Sequence, residues 1–271
     1  MTSAALLGAS PAPPRLARVP ALPLSVRFAL WATVAVQGGV DPDDAVISAH
    51  RDVDHVSGEP AGRLELWRDF GESAVLVALP RPGDLTGMPR AGFDGSGAAA
   101  EAGQCVFVPG MGGLLVPTLT SFGPEGDEGT AAEWSAYDSE PVPRHRLEAL
   151  SLRELDHQLA EAIRDGSAAL EAVEGRPWSA QPREHTERRL ETRTWAVPPE
   201  TSPRALRVML SAARVGIIVD EGLRLAATPS LDVHSSGRRE VGLRSLQSVA
   251  GRVLAGATNL AVMDLAGWRP V

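Results

Sequence analysis

Apolar residues change their spacing near residue 143, and this change constrains the fold more than any single motif. Before it, apolar residues come in short runs typical of strands, at 74–79, 104–108 and 113–120. After it, they recur at helical spacing over long stretches, as on the buried face of a helix. The chain therefore predicts an α+β fold. A small mixed α/β N-terminal part with about three strands precedes a helical C-terminal part.

The N-terminal part is expected to open with a disordered arm and to continue with helices. Residues 1–20 are rich in Ala and Pro and have little to bury. Asp41 and Pro42 form a typical helix start, with Asp41 as N-cap and Pro42 in the first position. Helices are predicted over 24–37, from Pro42 onward and over 61–70, where a hairpin is the alternative.

Two segments of the N-terminal part read as irregular structure. Residues 80–103 are rich in Gly and Ala and predict a long surface loop. Residues 121–143 are acidic and contain proline, which favours a linker. The predicted organisation is a disordered arm over 1–20, an acidic α/β part over 21–142 and a helical part over 143–271.

The helical part carries three amphipathic or apolar patterns. Ser151 and Glu154 form a capping box, although 146–150 also favours helix, and an apolar stripe follows at Leu152, Leu155, Leu159, Ile163, Leu170 and Val173. Ser202 and Pro203 predict another helix start. Within it, 216–222 favours a buried helix segment, with a strand ending in an acid as the alternative. The last helix, about 236–266, is crowded with small residues and is expected near the centre of a bundle.

Composition excludes several chemistries. All 26 basic residues are arginine, so a Schiff-base lysine and a P-loop lysine are both impossible. Residues 1–140 hold 8 arginines against 18 acidic residues, which disfavours nucleic-acid binding by the whole chain. Residues 141–271 hold 18 arginines against 16 acidic residues, so a local arginine face stays an alternative.

The sequence also favours a cytoplasmic protein. Cys105 is the only cysteine, lies in an apolar run and cannot form an internal disulfide. The first residues lack the basic region of a signal peptide. The most apolar later stretch, 246–265, is interrupted by Arg252 and Asp264, which is unlike a membrane span.

One histidine-rich segment is a metal-site candidate. His50, Asp52, Asp54 and His55 resemble the H-x-H-x-D-H zinc signature of metallo-β-lactamase-fold hydrolases, with Asp52 where the second histidine belongs. The substitution falls on a ligand position of that family, and the preceding residues read as helix rather than strand. A solvated polar loop is the preferred interpretation, so no metal is predicted and these four residues are the candidates.

Other catalytic patterns are weaker still. Glu154 and His157 match the E-x-x-H ligand pair of di-iron bundles, but a second such pair is missing and a solvated helix face explains them. A G-x-S-x-G elbow is missing, and Ser235 and Ser236 after His234 do not make a triad. No catalytic residue and no cofactor are predicted.

Two strings resemble a known group of sequences. Leu76-Val77-Ala78-Leu79-Pro80-Arg81-Pro82-Gly83-Asp84 and Pro203-Arg204-Ala205-Leu206-Arg207-Val208 look like an uncharacterised family of intracellular proteins from high-GC actinobacteria. The resemblance spans most of the chain. It implies an intracellular location and no assigned activity.

The sequence favours a non-catalytic cytoplasmic protein that acts through protein contacts, with an unknown protein partner or as a homo-oligomer. The exposed face of the last helix, or Trp178 and Trp195, are the first candidates for a contact surface. One alternative is a small-molecule-binding protein or enzyme that uses the Gly-rich loop 80–103, with Arg81 and Arg90 as anion contacts. The other is nucleic-acid contact through the arginine-rich helical half.

Overall fold

The computed structural model describes residues 22–124, 127–171, 197–226 and 233–268. The predicted arm over 1–20 lies outside these ranges, as do the contact candidates Trp178 and Trp195 and Val173 of the apolar stripe. Leu170 of the stripe is described only in its backbone. The residues around His234 are described only in their backbone.

The described chain alternates helices and short strands before it becomes helical. The strands are β1 His55–Ser57, β2 Leu76–Ala78, β3 Cys105–Phe107, β4 Leu114–Phe122 and β5 Gly129–Tyr137. The helices are α1 Leu24–Val36, α2 Pro42–Ala49, α3 Pro60–Asp69, α4 Phe93–Ala102, α5 Arg144–Glu148, α6 Leu152–Glu171, α7 Pro203–Ala226 and α8 Val233–Leu265.

The five strands form one mixed sheet in the order β1-β5-β4-β3-β2. The β1–β5 pair is parallel, and the other three pairs are antiparallel. The α+β class is therefore confirmed, but the expectation of about three strands is wrong. β1 and β5 are the two strands that the apolar runs do not reveal.

Several local predictions are confirmed. Asp41 is the N-cap of α2, where its carboxylate accepts a hydrogen bond from the Asp43 backbone N–H at 2.9 Å. Pro203 is the first residue of α7, and 216–222 lies inside that helix rather than in a strand. Cys105 is buried in β3, and burial raises the pKa of its thiol to about 12.

Residues 121–143 are not a linker. β4 continues to Phe122, and 129–137 forms β5, with Ala132 and Trp134 buried against the core. Among the described acidic residues, Glu133 lies between these buried positions, Asp127 and Glu128 precede β5, and Asp138 and Glu140 follow it. The charge of these residues led to the prediction of a linker, because only two buried side chains, Ala132 and Trp134, indicated a strand.

The loop predicted over 80–103 ends at residue 92, because 93–102 forms α4. Glycines at positions 95 and 97 lower its intrinsic helix propensity. Packing explains one of them: a Cβ on Gly95 would lie 3.1 Å from the Cβ of Tyr137 in β5. Close packing against the sheet therefore outweighs propensity in this helix.

The last helix occupies the centre of the molecule, as its small residues predict. α8 packs against α6 and α7 on one side and against α1 and β2 on the other. Its C-terminal half is almost completely buried, with Ala257, Leu260, Ala261 and Met263 all inaccessible. One helix thus joins the sheet to the helical part in a continuous core.

Candidate functional site

His50 is a buried structural residue. Its Nε2 accepts a hydrogen bond from the Trp134 indole N–H at 2.9 Å, and its Nδ1 lies 2.7 Å from the Val46 carbonyl oxygen. An indole N–H only donates, so Nδ1 carries the proton and donates to Val46. Burial lowers the pKa of His50 below its ordinary value. Both ring nitrogens are occupied, and a metal would have to displace one of these bonds.

Asp52 faces a different partner. Arg27, almost fully buried in α1, donates from Nη2 to Asp52 Oδ2 at 3.1 Å and from Nη1 to Oδ1. This two-point contact gives the buried guanidinium its counter-charge, although its Nε–H has no hydrogen-bond partner among the described residues. The carboxylate of Asp52 therefore holds α1 to the α2–β1 connection.

Asp54 and His55, the other two metal candidates, do not share the partners of His50 and Asp52. Asp54 Oδ2 accepts from the Thr130 N–H at 2.8 Å, and the Asp54 N–H donates to the Thr130 carbonyl at 2.8 Å. His55 is exposed on β1. In the part of the chain that the structure describes, no three His, Cys, Asp or Glu side chains form a group that could hold a metal ion.

The E-x-x-H pair lies on an exposed helix face. Glu154 and His157 both face solvent on α6, and His157 contacts Glu161 with an Nε2–Oε1 distance of 3.1 Å. Leu152, Leu155 and Leu159 are the buried residues of this helix, as the stripe predicts. Ile163 departs from the stripe and is 38 % exposed.

The remaining loop of residues 80–92 borders a groove of about 530 Å³ with α7 and α8. Three of its four charged side chains, those of Asp84, Glu240 and Arg244, have partners, whereas no ion pair joins Arg81 to another described residue. Asp84 accepts from Ser248 and from Arg252 Nη1 at 2.8 Å, and Glu240 pairs with Arg244 at 2.6 Å. Hydrogen bonds from Ser248 and Thr86 hold the pKa of Asp84 well below its usual range. The groove therefore joins the loop to α8 through groups that already have partners.

An open strand edge lies on the β4–β5 hairpin. β4 pairs with β3 only at Leu114 and Leu115, whereas it pairs with β5 along its whole length. All residues of 118–122 are exposed, including Leu119 at 46 % and Phe122 at 49 %. Among the described residues, no strand pairs with this part of β4 on the side away from β5.

The hydrogen bonds of Thr130 show which groups of β4 face this edge. Thr130 lies opposite Ser121, yet its N–H and carbonyl both bond to Asp54 and not to β4. Thr130 and Ser121 are thus a non-hydrogen-bonded pair of the antiparallel ladder, so the N–H and C=O of Ser121 face outward. Leu119, two residues earlier, has the same orientation. Pro117 has it too, but has no N–H to offer.

The opposite end of the sheet is closed. Asn259 of α8 places its amide along the outer edge of β2, where Oδ1 accepts from the Val77 N–H at 2.8 Å and Nδ2 donates to the Val77 carbonyl at 3.0 Å. A side chain thus takes the place of a neighbouring strand. Natural sheets commonly protect their edges in this way, and the open segment of β4 is an exception.

The stretch of sequence that contains the open edge is acidic. Residues 91–143 contain no arginine and eight acidic residues: Asp94, Glu101, Glu125, Asp127, Glu128, Glu133, Asp138 and Glu140. The combination is an unpaired strand edge with exposed apolar side chains in an acidic part of the chain. Sequence reasoning missed this site because it assigned 121–143 to a linker; the buried Ala132 and Trp134, two residues apart, were the available signal.

Comparisons with known proteins give a family. Residues 25–148 match the model of the Rv1486c-like protein, N-terminal domain, and residues 153–255 match that of the Rv1486c-like protein, C-terminal domain. The chain belongs to the Rv1486c-like proteins. These descriptions assign no function, which agrees with the resemblance to an uncharacterised family. Searches of curated proteins and of solved structures gave no match. Among the described residues of this Rv1486c-like chain, no helix is long and apolar enough to cross a membrane.

Proposed function

We propose that this Rv1486c-like protein is a non-catalytic, cytoplasmic protein-binding module that adds an extended segment of a partner to the open edge of β4. The observation that carries the proposal is the outward orientation of the backbone groups of Leu119 and Ser121 in an exposed strand. Strand addition uses such groups for affinity and alternate side-chain contacts for specificity.

The chemistry of the edge indicates the partner. Residues 91–143 carry eight acidic residues and no basic one, so a segment with Arg or Lys side chains is electrostatically complementary. Leu119 provides an apolar contact for the side chains on one face of the added segment. The occupant is therefore an extended peptide segment in which basic and apolar residues alternate.

The length of the edge sets the strength of binding. Only residues 118–122 are exposed beyond the pairing with β3. Within them, two residues, Leu119 and Ser121, direct a backbone N–H and C=O outward. Each hydrogen bond contributes about 1 kcal/mol net. The edge alone supports weak, transient binding, and charge complementarity chiefly raises the association rate.

The test is a peptide-binding titration at low ionic strength. A fluorescently labelled peptide of alternating Val and Arg is titrated with the full chain, and its anisotropy is measured. Ser121→Pro removes one outward N–H without breaking a β4–β5 hydrogen bond, so affinity should fall by about tenfold. Ser121→Thr keeps the N–H and should bind like the wild type.

Two peptide controls separate strand addition from charge attraction. A peptide with alternating Val and Glu should not bind, and N-methylation of the outward-facing amides of the Val-Arg peptide should abolish binding. If Ser121→Pro binds the Val-Arg peptide as tightly as Ser121→Thr does, the β4 edge is not the binding site and the proposal is wrong.

The small-molecule alternative rests on the groove beside residues 80–92. Its volume is sufficient for a metabolite, but Asp84, Ser248 and Arg252 already bond to one another. A ligand there would have to replace these bonds, so the geometry favours a structural joint. Ligand-dependent protection of 80–92 from hydrogen exchange across a metabolite panel would favour the alternative instead.

A further inference from the structure

A second, smaller groove of about 340 Å³ lies between the first turns of α6 and α7. Three guanidinium groups line it, from Arg153 on α6 and from Arg204 and Arg207 on α7. Asp156 is the one acidic residue in its wall, and Leu152 and Val208 are buried beneath it. The groove is distinct from the open edge of β4.

The arginines of this groove have no carboxylate partner. Arg244 of the loop groove pairs with Glu240, whereas Arg153, Arg204 and Arg207 form no ion pair or hydrogen bond with any residue that the structure describes. Three arginines that line one groove without carboxylate partners give it an excess of positive charge. An anion in the groove would neutralise that charge.

The helix geometry adds to the positive potential. Leu152 and Pro203 are the first residues of α6 and α7, so the positive ends of both helix dipoles are at the groove. α6 and α7 have 20 and 24 residues, long enough for the dipole to develop fully. Arg153 and Arg204 each occupy the second position of their helix, where backbone N–H groups lack helical acceptors.

We propose that this groove binds a phosphate monoester carried by a small molecule. The groove's side chains sum to a charge of +2, from three arginines and one aspartate, and a phosphate monoester carries about −1.5 to −2 at pH 7. Its three terminal oxygens can accept from several guanidinium forks at once, while a carboxylate offers two. Asp156 and Ser211 stand at the same wall and can accept hydrogen bonds from hydroxyl groups of the ligand.

A nucleic acid fits this groove less well than a small ligand. The chain has a net charge of −8, and residues 91–143 contain only acidic charges, so a long phosphate backbone is repelled outside the groove. A volume of about 340 Å³ accommodates one phosphate group with a small attached moiety. The inference therefore concerns a small ligand and does not depend on the peptide-binding proposal.

The test uses inorganic phosphate and glycerol 2-phosphate as probes in calorimetric titrations of the full chain at low salt. Both should bind saturably at millimolar concentration, and the combined Arg204→Gln and Arg207→Gln variant should bind about tenfold more weakly or worse. Arg214→Gln alters an exposed arginine of the same helix outside the groove and should bind like the wild type. Circular dichroism checks that each variant is folded.

A second readout needs no variant. Phenylglyoxal modifies exposed arginines, and glycerol 2-phosphate should protect Arg153, Arg204 and Arg207 from it while leaving Arg214 reactive. If the wild type binds neither probe, or if phosphate protects Arg214 as well as the groove arginines, the proposal is wrong. Tighter binding of single-stranded DNA than of either probe, lost in the double variant, would also overturn it by assigning the groove to a polymer.

Discussion

Buried polar residues of the N-terminal part act as joints between elements. Arg27 of α1 is held by Asp52, and Trp134 of β5 is held by His50 at the end of α2. Phe28 packs between these groups, with its ring centroid 4.4 Å from that of Trp134. The segment that resembles a metal motif is thus a set of connections between the first helices and the sheet.

His50 should make stability depend on pH. Its pKa is lowered in the folded state, so below about pH 6.5 the unfolded chain binds a proton that the folded chain does not. The free energy of unfolding should therefore decrease as the pH is lowered from about 6.5 towards the folded-state pKa, by at most about 1.4 kcal/mol per pH unit from this group. Urea unfolding measured at several pH values should give a smaller change of unfolding free energy per pH unit for His50→Gln than for the wild type. His55→Gln, at an exposed position, should keep the slope; equal slopes in both variants would refute the assignment.

Asp52→Asn should destabilise the protein severely. The substitution leaves the guanidinium of Arg27, 4 % exposed, without its counter-charge. Removing one partner of a buried ion pair costs about 3 to 5 kcal/mol. Urea unfolding measures the loss, and Asp69→Asn, on an exposed carboxylate of α3, should change stability by less than about 0.5 kcal/mol. A loss below about 1 kcal/mol in Asp52→Asn would show that water reaches Arg27.

The sequence predicted a solvated loop for His50 and Asp52, and this prediction is wrong for His50, which is buried. Asp41 was recognisable as an N-cap because capping depends on local spacing only. His50 and Asp52 have partners 84 and 25 residues away, which no local pattern reports. A polar residue near a helix end is read from the sequence as solvated unless its distant partner is known.

At the scale of elements, the edges of the sheet determine where a further strand could pair with it. β2 is closed by a helix side chain, β1 is only three residues long, and β4 extends past its neighbour β3 with exposed residues at 118–122. The strands that sequence analysis found are those with continuous apolar runs, buried on both faces. β5 and α4 escaped it because their burial depends on tertiary contacts with the sheet and with Tyr137.

Asn259→Ala should weaken the closed edge. The change leaves the N–H and C=O of Val77 buried without partners, at about 1 to 3 kcal/mol for each group. The expected loss is about 2 to 4 kcal/mol in chemical denaturation, together with faster hydrogen exchange of the Val77 amide. Gly251→Ala is a suitable control on the same helix, because its Cβ would make only an ordinary contact 3.9 Å from Leu79. It should be neutral or slightly stabilising; a similar loss in both variants would contradict the role of Asn259.

At the scale of the whole molecule, α8 makes the predicted α/β and helical parts interdependent. It contacts α1 and β2 as well as α6 and α7, and the buried residues form one continuous cluster. The division at residue 142 stays a prediction from composition. The change of apolar spacing predicted the order of the two parts, but periodicity carries no information on which surfaces meet.

The full chain should therefore unfold in a single cooperative transition. Calorimetry should give a calorimetric enthalpy equal to the van't Hoff enthalpy, and circular dichroism and tryptophan fluorescence should have the same midpoint. Two separated transitions, with tryptophan fluorescence changing before or after the bulk of the helical signal, would contradict a shared core.

The contact between Asn259 and Val77 also has a consequence for synthesis. The two residues are 182 positions apart, so the ribosome must add all the intervening residues after β2 before its edge can be protected. At bacterial and eukaryotic elongation speeds this takes roughly 10 to 35 seconds. During that interval β2 is an unprotected strand on a nascent chain, and it is there that a chaperone would be needed most.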